Sequence, residues 1–318
     1  MFILFSTLAF LITIIGKRYP RLLELTASFQ YLIQASLLHW IYNAYLFLWD
    51  IASQGERPAR AGDRVISAKW LNKLMHKKNL IPNDLNVVDV KIEDLTNHRG
   101  LVSVINVLRL TYDKESKSAL TTIIMKTYNS DTISARYTNI AGSRYREAIF
   151  YENFRNISVK PNIYYAYGSP YTGNCIIFME DLRSKATGIN FYFGNQVWGT
   201  KELDKPREPK LMLEDIFIKA AEMHATYWND KELMKNKWLK GVAWYAGKDQ
   251  ATWSMGLKTG RNMWNKSKLK MKDDGVKWSS KLISIIDKSY ENSSWEKVQE
   301  QLSDSKIPFT LTHGLYFI

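Results

Sequence analysis

The stretch ALTTIIMKTYNSDTISARYTNIAGSRYREAIFYENF (Ala119–Phe154) is the part of the chain from which we interpret the rest. It begins with an apolar, β-branched run that ends at Lys126, which predicts a buried strand carrying a single cation. Its last part, Ser143–Phe154, has apolar residues at helical spacing and two carboxylates, Glu147 and Glu152. A lysine there needs a counter-charge, so we expect one of these glutamates to pair with it. In the alternative, Lys126 merely caps the strand and both glutamates are solvated.

The composition is that of a folded protein with one large core or two lobes. The chain has 318 residues, of which 46% are hydrophobic and 13% aromatic, and so many rings require burial. The single cysteine, Cys175, excludes an intrachain disulfide and a cysteine-rich metal site, and no histidine cluster replaces it. We therefore expect a core thiol at Cys175 and no metal site built from these residue types.

Positive charge is concentrated in one part of the chain. The formal net charge is +13, and residues 231–288 contain 14 basic and 5 acidic residues. Such a surplus favours a phosphate-bearing ligand, an acidic membrane surface or nucleic acid, unless it is simply a solvated face. Tryptophans alternate with these charges, but no recognisable nucleic-acid motif accompanies them, so nucleic acid is the least favoured partner.

The N-terminal residues predict association with a membrane. Phe2–Ile15 contains no charge, and Lys17, Arg18 and Arg21 follow at once. A signal peptide carries its positive charge before its apolar run, so we expect residues 1–24 to be a membrane anchor. Its basic flank then places the folded domain on the cytosolic side.

A second uncharged stretch, Leu25–Trp49, is long enough to cross a bilayer but contains several polar residues. It fits an interfacial helix, a helix packed on protein or a spanning helix, and we favour one anchor followed by one membrane-surface helix. The polar segment Gln54–Asp63, with Pro58 and two glycines, predicts a linker. Residues 25–63 are thus expected to form a second hydrophobic helix and a linker.

Residues 64–182 predict a small lobe with an antiparallel sheet, and residues 183–318 a helical lobe, giving an α+β fold. In the small lobe we expect a helix around Ile66–Met75, the strands Asn86–Leu95, Leu101–Tyr112, Ala119–Tyr128, Tyr164–Gly168 and Asn174–Glu180, and a helix over Ser143–Phe154. In the helical lobe we expect a central helix over Leu213–Trp228, helices over Val276–Tyr290 and Ser294–Leu302, and a short strand over Pro308–Gly314.

Five segments in this order resemble the CHK kinase-like, or ecdysteroid kinase-like, branch of the aminoglycoside/choline phosphotransferase superfamily. They are IIMKTY (Ile123–Tyr128), REAIFYENF (Arg146–Phe154), CIIFMEDL (Cys175–Leu182), AEMHATYW (Ala221–Trp228) and LTHG (Leu311–Gly314). The resemblance implies a protein-kinase-like fold of two lobes, preceded here by the N-terminal hydrophobic helices. It also implies ATP- and Mg²⁺-dependent phosphorylation of a hydroxyl on a small molecule, steroid-like or otherwise.

The resemblance also implies roles for particular residues. Lys126 would bind the ATP phosphates and Glu147 would orient it, because the family places this glutamate ahead of a Phe-Tyr pair. Gly100 would lie in the phosphate loop, and the segment Met179, Glu180, Asp181, Leu182 would form the hinge that binds adenine.

His313 and Gly314 match the start of the family's catalytic loop, but Leu315 stands where the family has its catalytic aspartate. The sequence ends at Ile318, ahead of the metal ligands that the family would supply. We therefore expect an incomplete helical lobe and no phosphotransfer by this chain as written. The alternative function is that of a non-catalytic nucleotide-binding or scaffolding pseudokinase.

Overall fold

The computed structural model describes residues 29–95, 103–116, 119–154, 157, 160–182, 209–240, 247, 250–273, 275, 278–304 and 306–312. The described residues form two compact units, one within Ser28–Thr226 and the other within Tyr227–Leu311. The predicted anchor, residues 1–24, lies outside the described residues. Residues 183–208, which follow the predicted lobe boundary at 182/183, also lie outside them. In the described ranges no helix is both long enough and apolar enough to cross a membrane.

The first unit is built on a five-stranded antiparallel sheet, so the chain is α+β. The strands are β1 (Val87–Asp94), β2 (Ser103–Tyr112), β3 (Thr122–Tyr128), β4 (Ile163–Gly168) and β5 (Cys175–Met179), in the spatial order β1-β2-β3-β5-β4. Its helices are α1 (His39–Ser53), which continues a π-helical segment Gln34–Leu38, α2 (Ala68–Lys77), α3 (Ile133–Ala141), α4 (Arg146–Asn153) and α5 (Pro209–Thr226). All five strands overlap the strands predicted from the sequence.

Alternate residues of the strands form two different faces. On one face α2 packs its apolar side onto the sheet, and the buried set includes Trp70, Leu71, Met75, Leu108, Ile123, Met125, Ile176 and Phe178. The helix begins at Ser67, whose hydroxyl accepts a hydrogen bond from the Trp70 amide over 3.3 Å. On the other face α4 covers β5, with Ala148, Cys175 and Ile177 buried. The sheet is therefore the middle layer of this unit.

The segment predicted as a linker, Gln54–Asp63, is instead packed against the sheet unit. Arg57 pairs with both carboxylate oxygens of Asp63, at 3.0 and 3.1 Å, and Ala59 belongs to the core. The guanidinium of Arg60 lies 3.6 Å from the centre of the Tyr167 ring. A polar segment with proline and glycine has the composition of a linker, but here its arginines are held by a carboxylate and a ring.

The second unit consists of helices. They are α6 (Glu232–Lys235), a 3₁₀ turn (Lys237–Lys240), α7 (Gln250–Asp273), α8 (Ser280–Asn292) and α9 (Trp295–Ser303). Trp253 of α7 meets Trp295 of α9 edge to face at 5.8 Å, and the Trp264 indole donates to Asp287 over 2.8 Å. Among the described residues of this unit, only the apolar side chains of Leu233 and Leu311 are buried.

Two predictions for the helical part were wrong. The helix α5 forms, but Phe217 on its predicted apolar face is 63% exposed, so within the described residues it is not a buried central helix. The described part of the predicted strand Pro308–Gly314 forms no strand. The Phe309 carbonyl oxygen instead accepts a 2.8 Å hydrogen bond from the Asn229 amide, and the Phe309 amide donates over 3.0 Å to the Asn229 side-chain oxygen. Asn229 therefore satisfies both backbone groups of Phe309.

Candidate functional site

Lys126 lies near the end of β3 in the middle of the sheet. It is opposite Ile105 of β2 and Ile177 of β5, so strands flank it on both sides. Because strand residues alternate, Lys126 lies on the α4 face, while Met125 and Thr127 are buried towards the opposite face. The β-branched run before Lys126 favours the strand, and this register sets which way the lysine faces.

Glu147 lies in the first turn of α4, directly over the lysine. The Lys126 Nζ atom is 2.7 Å from Glu147 Oε1, and each side chain is 25% exposed. Glu152 is exposed, and its position on the helix is rotated by about 140° from that of Glu147. The structure therefore pairs the strand lysine with Glu147, the glutamate that we favoured.

A third residue completes the polar cluster. The Tyr128 hydroxyl donates to Glu147 Oε2 over 2.8 Å, so each carboxylate oxygen accepts from a different strand residue. The Arg144 guanidinium lies 5.6 Å from the centre of the Tyr128 ring. The role of Tyr128 was not anticipated, although it lies two residues after Lys126 and hence on the same face of the strand. That spacing was the signal for it in the sequence.

The position of α4 depends on small residues and on one close backbone approach. Ala148 is fully buried against Cys175 and Ile177 of β5. At the end of β4, a Cβ atom added to Gly168 would lie 2.3 Å from the carbonyl oxygen of Tyr145, just before α4. Only glycine permits this approach without a shift of the backbone. The position of Glu147 over the sheet therefore depends in part on Gly168, which no sequence pattern singled out.

Burial controls the protonation of the groups around the pair. Desolvation, with the Glu147 charge as a smaller cause, raises the pKa of Cys175 and of Tyr151 to about 12 each. The same two causes raise the pKa of Tyr128 above its ordinary value of 10.0. The thiol of Cys175 and the phenols of Tyr128 and Tyr151 are therefore neutral at physiological pH, and they add no charge beside the pair of Lys126 and Glu147.

The predicted hinge starts at the end of β5. Met179 is opposite Ile124 of β3, two residues and about 7 Å along the strand from Lys126 and on the same face. Glu180 follows, and its carboxylate accepts a 2.7 Å hydrogen bond from the Asn162 side chain. Asp181 accepts a 2.9 Å hydrogen bond from Thr122, while Leu182 is 37% exposed. Met179 therefore ends β5, and the next two residues are tied to the residue before β4 and to β3.

Three other predicted site residues, Gly100, His313 and Gly314, lie outside the described residues. The strands on either side of residues 96–102 can still be located. The amide of Leu95 donates to Ile105, which is itself opposite Lys126. The chain therefore leaves the sheet beside Ile105, opposite Lys126, and re-enters it at Ser103, opposite Tyr128.

The described residues supply a cation for an anionic ligand but no metal site. Lys126 is partly exposed, whereas no three His, Cys, Asp or Glu side chains in the described ranges come together in a way that could hold a metal ion. We therefore assign no step to Mg²⁺ on these residues. The chain was also compared with known proteins: no family model matches it, and neither a curated protein nor a solved structure does.

Proposed function

We propose that the sheet unit is a nucleotide-binding lobe of the protein-kinase-like type and that it holds ATP through Lys126. The observation that carries this proposal is the 2.7 Å ion pair between Lys126 of β3 and Glu147 of the helix preceding β4. A lysine held in this way presents a fixed cation to the α/β-phosphates, as the resemblance to CHK kinase-like proteins implies. Its partial exposure supports the proposal, because a phosphate oxygen needs access to the ammonium group.

The position of the hinge segment supports the same assignment. Met179 and Lys126 lie on one face of the sheet, with their levels separated by about 7 Å. A nucleotide with its adenine at the hinge would direct its phosphates towards the level of Lys126, where the connection containing Gly100 also meets the sheet. The proposed acceptor is a hydroxyl of a small molecule, steroid-like or otherwise, and it is proposed from the resemblance.

A second candidate is nucleotide binding without phosphoryl transfer. The observation that favours it is Leu315, which follows His313-Gly314 where the family has a proton-accepting aspartate. A leucine cannot orient the attacking hydroxyl or accept its proton. Both candidates require ATP to bind at Lys126, so binding is the property to test first.

The test is stabilisation of the full chain by Mg-ATP against thermal unfolding. A ligand at 100 times its Kd adds about 2.7 kcal/mol of stability, which is a clear shift of Tm. We expect this shift in the native chain and its loss in Lys126→Met. The matched control is Lys114→Met. Lys114 also makes a 2.7 Å ion pair, with Asp84, but this pair lies past the end of β2 that is farther from Lys126.

Equal shifts in all three proteins would refute the assignment, and no shift in the native chain would refute both candidates. If ATP does bind, release of ADP separates the two. Hydrolysis above the background of Lys126→Met would mean that this chain retains phosphoryl transfer despite Leu315, whereas hydrolysis equal to that background favours the non-catalytic protein.

A further inference from the structure

One side of α1 and of the turn before it is an uninterrupted apolar surface. We call it the apolar face of α1, and its residues are Leu37, Trp40, Ile41, Tyr45, Phe47, Leu48 and Ile51. Trp40 is 74% exposed, Phe47 65%, Leu48 64% and Ile51 63%. At 100° per residue these side chains cover roughly half of the helix circumference, and no charged residue lies among them. Apolar exposure this continuous indicates a surface that is covered in the working protein.

The opposite side of α1 is fixed to the sheet unit. Leu46 is buried, and the Tyr42 hydroxyl donates to the Tyr167 hydroxyl over 3.4 Å. Arg136 donates to the carbonyl oxygen of Ala35 over 2.6 Å, in the turn that leads into α1. At the end of the helix, Asp50 pairs with Arg57 at 3.0 Å. The helix therefore lies along the domain, and it cannot cross a bilayer without losing these contacts.

The chemistry of the face and of the preceding sequence favours lipid as the occupant. Tryptophan, tyrosine and phenylalanine on a helix that lies flat are typical of the interfacial layer of a membrane. In the 28 residues before the described part, Phe2–Ile15 is uncharged, and the three basic residues Lys17, Arg18 and Arg21 exceed the single acidic residue, Glu24. These cations complement anionic headgroups close to the start of the helical segment. Apolar side chains and cations thus lie next to each other in the chain.

We propose that the apolar face of α1 inserts into the interfacial layer of an anionic membrane, with the helix axis parallel to the surface and the sheet unit on the water side. The proposal is independent of nucleotide binding at Lys126. It specifies that α1 binds lipid while packed on the domain, rather than as a spanning segment. Binding is expected to need both the aromatic surface and negatively charged lipid, because each contributes a different part of the attraction.

The experiment places a nitroxide label on the full chain at Leu48→Cys and, as a control, at Val65→Cys. Both positions are exposed apolar residues of the same unit, and Val65, 77% exposed, lies outside α1. The native Cys175 is 1% exposed and so is protected from labelling. With vesicles of phosphatidylcholine and phosphatidylserine, we expect the label at position 48 to become accessible to oxygen and inaccessible to a water-soluble nickel reagent. The label at position 65 should stay in water.

Flotation with the same vesicles gives an independent measurement. The triple variant Trp40→Glu, Phe47→Glu, Leu48→Glu is expected to reduce vesicle binding by about a thousandfold, since each buried side chain of this size contributes about tenfold or more to partitioning and the three factors multiply. Val65→Glu is the control and should leave binding unchanged.

Three outcomes would overturn the proposal. If the protein floats but the label at position 48 stays in water, the preceding residues bind the membrane without α1. If labels at position 48 broaden each other's spectra without vesicles, a second copy of the chain covers the face. A native chain that does not float at all excludes a lipid partner. The label measurement does not depend on whether the triple variant folds, so the proposal remains testable in either case.

Discussion

The two faces of the central sheet are made from alternate residues of the same strands, yet they differ in character. Towards α2 the packing is mainly apolar, and Leu71, Met75 and Phe178 have no measurable exposure. Towards α4 only Ala148, Cys175 and Ile177 form a small buried cluster, beside which Lys126 and Glu147 remain 25% exposed. A charged pair persists on the second face because it keeps contact with water, which reduces the cost of desolvation.

The difference indicates how one small sheet can combine stability with a chemical site. The face towards α2 supplies the burial that holds the fold, and the face towards α4 positions a lysine, a glutamate and a tyrosine with little buried volume. Substitutions on the first face should therefore act mainly on the free energy of unfolding. Substitutions in the polar cluster should act mainly on ligand binding.

The largest effect is expected for Phe178→Ala, at the centre of the face towards α2. Loss of a fully buried ring should lower the free energy of unfolding by about 3–5 kcal/mol, because a cavity replaces its contacts with Trp70 and Tyr165. Urea unfolding followed by circular dichroism measures the loss. The matched control is Phe217→Ala, since that ring is 63% exposed and its removal should cost little. Similar losses in both variants would contradict the burial described for the two rings.

The next effect concerns the close approach that places α4. Gly168→Ala puts a methyl group 2.3 Å from the Tyr145 carbonyl oxygen, so the start of α4 has to move. We expect a loss of about 1–3 kcal/mol in unfolding free energy, and a weaker ATP-induced shift as Glu147 moves away from Lys126. The control is Gly256→Ala in α7, where an added Cβ atom would meet nothing within 4 Å beyond the neighbouring helix backbone, and alanine should stabilise the helix by up to about 1 kcal/mol. An unchanged stability of Gly168→Ala would show that α4 is not constrained at this point.

The sequence predicts the sheet well because the signals for its strands are local. Alternating apolar residues and β-branched residues predict the five strands. Where the spacing of apolar residues changes from every second residue to helical spacing, it predicts α4. The residues alone left Glu147 and Glu152 open as partners of Lys126, and Glu147 was preferred because the resemblance places the glutamate ahead of a Phe-Tyr pair, here Phe150-Tyr151. The assignment of these residues to nucleotide binding stays a prediction.

Other features depend on contacts that a linear pattern does not record. The helix α3 was missed because Ile133–Ala141 mixes polar and apolar residues without a clear apolar face. Its N-cap is Thr132, whose hydroxyl accepts a hydrogen bond from the Ala135 amide. The helix α7 was not assigned because charges interrupt its apolar residues, so its half-buried stripe is narrow. Gly168 has no distinguishing neighbours in sequence, since its role lies in the approach of β4 to α4. Such tertiary approaches are seen only in the folded chain.

A smaller effect should follow from the buried thiol. Because burial raises the pKa of Cys175 to about 12 from its ordinary value of 9.0, the unfolded chain loses this proton first as the pH rises. Unfolding free energy should then fall above pH 9, by up to about 1.4 kcal/mol per pH unit. Urea unfolding between pH 8 and 10 measures the slope, and Cys175→Ala should flatten it. Buried tyrosines such as Tyr128 act with the same sign but only above their ordinary pKa of 10.0. An equal slope in the variant would assign the pH dependence to other groups.

The smallest effect on stability is expected for the ion pair itself. Lys126 and Glu147 are each 25% exposed, so water screens their attraction, and a double-mutant cycle of Lys126→Met and Glu147→Gln should give a coupling of about 1 kcal/mol. The exposed pair Lys114 and Asp84, also 2.7 Å apart, is the control and should give less. A coupling of about 3 kcal/mol or more would mean that the pair acts as a buried structural element. A weak coupling, together with loss of the ATP-induced shift in Lys126→Met, would instead mean that the pair is retained for the ligand, and the two faces of the sheet would then differ in function as well as in composition.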